Sequence, residues 1–357
     1  MTQATVFALR TAFVGAIAIA IAGCQEKGPN TMSSRPAGGH ATFSDVFVIE
    51  DTTLLEENED VINVAPNVDI DGDSLYLIAD EREKQLRVYT RSGAITTWFG
   101  RKGQGPGEFF APIKMIRLKS GNLLASDLLS RFSIYSAKGD SLIGTLVTPF
   151  TRIYDVDQVA DSVLLVTGIL SESPNERLHL FSLSDTVVMR SFLTPPSLPP
   201  AALDAAGFAM STIRKDTIYA TLSLVDSIYR FSVAGDRLSP IHVAGIQFRP
   251  LPPNLPPSNA GPREIAEWYA SFSLLTQVVP LTNGFLLIYQ DRRDMTPVWH
   301  AAVLDRKGVA LADISEAPMY AGSFSDGRFA FIRPGSETPN RWVIVKLTEQ
   351  LRNTLDK

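Results

Sequence analysis

The stretch "FGRKGQGPGEFFAPIKMIRLKSGNLLASDLLSRFSIYSAKG", residues 99–139, decides how this chain is read. It opens with four glycines in eight residues, Gly100, Gly103, Gly105 and Gly107, and with Lys102 among them. A phosphate-binding loop needs a strand before it, a helix after it, and a Ser or Thr following the lysine. Here Lys102 precedes the last three glycines, Pro106 removes an N–H donor, and "IKMIRL" continues as a strand. The glycines are therefore read as backbone freedom in a tight crossing between two sheets, with Gly105 expected in a crowded or left-handed position. Arg101, Lys102 and Glu108 stay on that crossing as candidate binding residues.

Working outward, the chain beyond residue 42 has almost no helical periodicity, and short β-branched and aromatic runs alternate with Gly, Asp and Asn turns. The turns "YTRSG", "YSAKG", "FSLSD", "FSVAG" and "LDRKG" align, which places Tyr89, Tyr135, Phe181, Phe231 and Leu304 at one equivalent position. A sixth, degenerate copy is "RWVIVKLTEQ". A repeat of about 40 to 50 residues built of about four short strands is the mark of a propeller blade. The expected fold is all-β: a six-bladed β-propeller spanning 43–350, with blades at 61–100, 112–148, 152–193, 206–245, 275–316 and 317–348. The last blade is short of a fourth strand, which "FSDVFVIED" near the N-terminus can supply, closing the ring and hiding two sheet edges.

The repeat at 99–139 resembles an NHL-type repeat: a G-x-G-x-G-x-F loop, a Pro before the inner strand, a Gly turn, Asp127 ending the second strand and Arg131 opening the third. The preceding copy keeps Asp80 but has Gln85 in place of the Arg, and later copies keep the hydrophobic skeleton alone. The whole looks like the NHL-like six-bladed propellers of bacterial lipoproteins. That resemblance implies the fold, and it implies that Asp127 and Arg131 brace neighbouring loops.

The N-terminus speaks to address. One positive charge at Arg10, the apolar run "TAFVGAIAIAIA" and the ending "IAGC" have the layout of a secretory signal. The run is too short for a helix spanning a bilayer about 30 Å thick. "IAGC" resembles the bacterial lipobox, so residues 1–23 are expected to be cleaved and Cys24, the one cysteine in the chain, to receive lipid. Residues 24–42 read as a flexible tether, rich in Gly, Pro and Ser. Gln25 follows the cysteine and favours the outer membrane or cell surface, with the membrane reached through lipid on Cys24. The formal charge is −5, about −6 once Arg10 is lost, which argues against a nucleic-acid partner. A monomer is expected.

No catalytic, metal or cofactor set is legible. Asn67, Asp69 and Asp155 fall near predicted inner strands, where Asp and Asn are ordinarily turn residues. "DIDGDS" at 69–74 mimics half a calcium loop without its downstream Glu. His179, His242 and His300 lie on different predicted blades at outer-strand positions, without zinc-ligand spacing. No nucleophile elbow is present. Two insertions stand out, 194–207 and 246–275, and both join one blade to the next, on the same face as the loops between second and third strands. The larger is expected to hold the one helix of the mature chain, with Pro262 in its first turn and Ile265, Trp268, Tyr269 and Phe272 at helical spacing. Trp268, Tyr269, Arg292 and Arg293 are candidate binding residues there. The reading is a non-catalytic envelope module that binds a ligand or a protein. The alternative is a hydrolase or lyase of the lactonase kind with a metal in the central channel.

Overall fold

The computed structural model describes residues 40–56, 68–71, 74–78, 84–128, 130–195, 209–252, 254, 260–293, 296–333 and 341–357. The fold is all-β, with antiparallel sheets in a propeller-like arrangement. Four consecutive sheets are simple up-and-down meanders. The first holds Val68–Asp71, Ser74–Ile78, Leu86–Thr90 and Ile95–Phe99; the second Pro112–Arg117, Leu123–Asp127, Arg131–Tyr135 and Leu142–Val147. The third holds Phe150–Ala160, Val163–Leu170, Leu178–Ser182 and Val187–Phe192; the fourth Ala209–Arg214, Thr217–Leu222, Ser227–Ser232 and Arg237–His242. The last sheet joins Met319–Ser323, Phe329–Arg333 and Arg341–Leu347 to Phe47–Leu54, which pairs antiparallel with Arg341–Leu347.

The remaining sheet departs from the expected four strands. Leu274–Pro280, Gly284–Arg293, Thr296–Asp305 and Ala310–Ile314 carry a fifth strand, His40–Ala41, in parallel on the outer edge. Residue 40 had been assigned to the tether; main-chain pairing along an otherwise open edge draws it into the sheet.

The five aligned positions share one structural place. Tyr89, Tyr135, Phe181, Phe231 and Leu304 all sit in third strands and are at most 4% exposed. The turn after each third strand requires a left-handed residue, supplied by glycine at Gly93, Gly139, Gly235 and Gly308 and by Thr186 in the third sheet. Adjacent sheets pack face to face through apolar clusters: Phe99 and Phe109 with Tyr135, Phe132 with Phe181, Phe192 with Phe231, Ile228 with Leu275, and Phe47 with Phe329 and Leu286. A further cluster joins Tyr89 of the first sheet to Ile332, Trp342 and Ile344 of the last. Each fully buried Phe or Leu contributes roughly 1.5–3 kcal/mol.

Three helices, not one, occur among the described residues: α1 (Phe43–Val46), α2 (Pro262–Ala270) and α3 (Glu349–Leu355). The expected strand at 43–51 therefore begins as a helical turn, because Asp45 accepts from the N–H and hydroxyl of Thr42 at 2.7 Å each and so caps it. The expected domain end at 350 cuts α3, whose Leu351 and Leu355 pack on the core between the last two sheets. None of the described helices is long and apolar enough to cross a membrane.

Candidate functional site

Antiparallel order sorts the connections by end. Loops between second and third strands share one end with the links from one sheet to the next, and the turns between first and second strands lie at the other.

At the first end the glycine crossing is braced from below. Asp127, 1% exposed at the end of its strand, accepts from the backbone N–H groups of Phe110 (2.8 Å) and Ala111 (3.2 Å) and from Arg131 (3.0 Å). Arg131 in turn donates to the carbonyls of Gln104 (2.5 Å) and Glu108 (3.1 Å). Glu108 folds back on the loop, accepting from the Gly105 N–H at 2.8 Å and from Arg101 at 2.8 Å. The Gly105 N–H first and the Arg101 hydrogen bond next hold its carboxyl below the usual range. Arg101 and Glu108 thus serve each other, while Lys102 is exposed on the short strand that pairs with Glu108–Phe109. Backbone strain does not fall on Gly105: the left-handed residues are Gly100 (φ +82°) and Gly107 (φ +72°), and a Cβ on Gly100 would lie 2.5 Å from the Phe109 ring.

The same device recurs, unrecognised in the sequence, beneath the larger insertion. Asp291, near the end of its second strand, accepts from the Ser273 hydroxyl at 2.5 Å and faces Arg249 at 3.2 Å and His300 at 3.4 Å. Burial by itself would raise its pKa; the His300 ring beside it, the hydrogen bond from Ser273 and the charge of Arg249 outweigh it and hold the carboxyl down at about 2. Arg249 also donates to the Ala270 carbonyl at 2.8 Å, and Tyr289 stacks on His300 at 4.5 Å while donating to Asp313. His300 and His179 are therefore core groups on third strands, 5% and 0% exposed, and not on outer strands, where His242 lies. An acid ending the second strand was the available signal, visible at Asp127 but hidden here because the insertion breaks the repeat.

Trp268, Tyr269 and Arg292 come together. The two rings meet edge to face at 5.0 Å, Trp268 packs on Phe272 at 4.9 Å, and the Arg292 guanidinium lies over the Tyr269 ring at 4.9 Å. Their contact with Leu224, Phe272 and Leu274 pins the insertion to the sheets. Arg293 projects to the opposite side of its strand and pairs with exposed Glu316 at 3.1 Å. The glycine crossing links the first and second sheets and the helical insertion the fourth and fifth, so the seven candidates form two separate groups.

The candidate acid Asp155 stands on a first strand, 1% exposed, with Lys114 of the neighbouring first strand at 2.9 Å; the same ammonium lies 3.3 Å from Asp157. One ammonium facing two carboxylates offsets one of their two charges. Among the described residues, no three His, Cys, Asp or Glu side chains converge as metal ligands. Cys24, Asn67, Asp80 and the half calcium loop's Gly72 and Asp73 lie outside the described residues, as does the side chain of Asp69.

The other end, where no candidate residue was expected, carries an opening of its own. A cleft of about 810 Å³ lies where the first strands of the fourth, fifth and last sheets finish, with α3 along one side. Its walls include Arg214, Asn283, Phe324, Arg328, Lys346 and Arg352. That volume suits a small organic ligand.

No family model matches the chain, and no curated protein matches it by sequence. Solved structures do match in fold. A protein described as exported from Bacteroides fragilis is 13% identical, with a TM-score of 0.65 over 87% of this chain and 97% of its own. A member of the DUF4221 family from Bacteroides vulgatus is 11% identical, with a TM-score of 0.63 over 85% and 99%. Likeness at this identity is a likeness of fold.

Proposed function

We propose that the chain is an exported, lipid-anchored binding module of the cell envelope, without catalysis, whose sheets close into a six-bladed, NHL-like ring. The observation that carries the binding role is the open cleft of about 810 Å³ at the ends of three first strands. Closure is supported by the cluster joining Tyr89 to Trp342 and Ile344, which packs the last sheet on the first. Export is supported by the lipobox-like ending at Cys24 and by the exported Bacteroides protein of the same fold.

Two experiments test this. Cys24→Ser should move the protein from the membrane to the soluble fraction and abolish incorporation of labelled fatty acid; label retained by the variant would overturn the anchor. The soluble domain should bind the neutral fluorophore N-phenylnaphthylamine at one saturable site, and Ser325→Trp, placed in an exposed turn on the cleft wall, should block it. Binding unaffected by Ser325→Trp would overturn the cleft as the site.

A further inference from the structure

We infer that the cleft selects an anionic head group, carboxylate or phosphate, on an apolar body; the inference rests on the cleft being the binding site. Its walls carry four cations, Arg214, Arg328, Lys346 and Arg352, against three carboxylates, Glu50, Asp326 and Asp356, in a chain whose formal charge is −5. Two of the cations are neutralised internally. Arg328 holds Asp326 at 2.5 Å and stacks on Phe324 at 5.0 Å, and Lys346 pairs with Glu50. Asp356 accepts from the Asn283 amide at 2.7 Å, a neutral donor that leaves its charge in place, so two cations and one carboxylate remain without an ion-pair partner among the described residues.

The other two are not neutralised. Arg214 donates to the Pro280 carbonyl at 2.8 Å and to the Thr282 hydroxyl at 3.4 Å, neutral acceptors that orient the guanidinium and leave its charge in place. The Arg352 side chain, exposed on α3, has no ion pair or hydrogen bond to any described residue. A guanidinium offers a planar fork of N–H groups that matches the oxygens of a carboxylate or phosphate. Between these charges the half-buried side chains of Ile213, Leu281 and Leu355 line the cleft beside polar Thr212, Thr282 and Ser323, so a ligand that lays a hydrocarbon body on the apolar part can present its head group to the arginines.

The test displaces bound N-phenylnaphthylamine from the soluble domain with octanoate, octyl phosphate, octanol and octylammonium. Octanoate or octyl phosphate should displace it at least about tenfold more effectively than the neutral and cationic probes, and whichever anion is the stronger names the head group. Arg214→Gln and Arg352→Gln should each weaken the anion about tenfold relative to octanol measured on the same variant. Arg352→Gln removes no contact within the fold, so it remains decisive if Arg214→Gln loosens the Pro280 turn. Equal displacement by octanol or octylammonium, or anion affinity indifferent to both substitutions, overturns the inference and leaves the cleft a binding site. Failure of the fluorophore itself to bind overturns both.

Discussion

At the scale of single residues, the glycine crossing separates backbone need from mere smallness. Gly100 is left-handed and its missing Cβ would strike the Phe109 ring, whereas Gly105 has an ordinary φ and would meet only the movable Glu108 carboxylate at 3.1 Å. Gly100→Ala should therefore cost about 1–3 kcal/mol in urea unfolding, and Gly105→Ala clearly less; equal costs would show that φ is not the cause. His179 makes a second residue-level prediction. Burial first, and then the charge of Arg177, push its pKa down to about 4, against the opposing hydrogen bond to Gly168. The folded protein keeps this imidazole neutral while the unfolded chain protonates near 6.5, so stability is full above that pH and falls as pH drops toward 4, by about 3 kcal/mol at most. Asp291 adds a separate window. Its folded pKa of about 2 is depressed, so its contribution is present above the unfolded value near 3.9 and is lost as pH falls toward 2. Unfolding free energies at pH 7, 5 and 3.5 should show the first loss in the parent and a flatter profile in His179→Gln.

At the scale of elements, an acid near the end of a second strand ties the incoming link between sheets. Asp127 holds two backbone N–H groups and Arg131; Asp291 holds Ser273 and Arg249. Asp127→Ala would orphan two backbone donors and a partly buried guanidinium, an expected cost of about 2–4 kcal/mol. Arg131→Ala frees the carbonyls of Gln104 and Glu108 and takes one donor from Asp127, whose carboxylate keeps both backbone N–H groups, so it should cost less. The reverse order in thermal or urea unfolding would show that the Arg, and not the Asp, organises the crossing. The residues at 127 and 131 were legible because their repeat is intact. Asp291 was not, because the insertion at 246–275 separates it from any register a reader could count, and Arg249 reaches it through space.

At the scale of the molecule, the strand Phe47–Leu54 pairs with Arg341–Leu347, and the Phe47 ring packs on Phe329 and Phe331 at 5.9 and 5.2 Å. Removing residues 43–56 would bare one edge of the last sheet and part of its core, so the melting temperature should fall by ten degrees or more, about what a loss of several kcal/mol produces. Of the described residues, removing 1–41 takes away only the two-residue strand His40–Ala41 and should shift it far less. Equal melting of all three chains would overturn the structural role of the N-terminal strand. Sequence alone determined the strands, their grouping by the repeated third-strand position and the helical insertion, because each is a local pattern: alternation of two, a glycine turn, apolar residues at helical spacing. Tertiary structure alone decided that His40–Ala41 joins a sheet, that Arg249, Asp291 and His300 meet, and that Arg214 and Arg352 share a cleft. Those groups lie on different strands and links, and their proximity comes from how whole sheets stack, which no local spacing encodes.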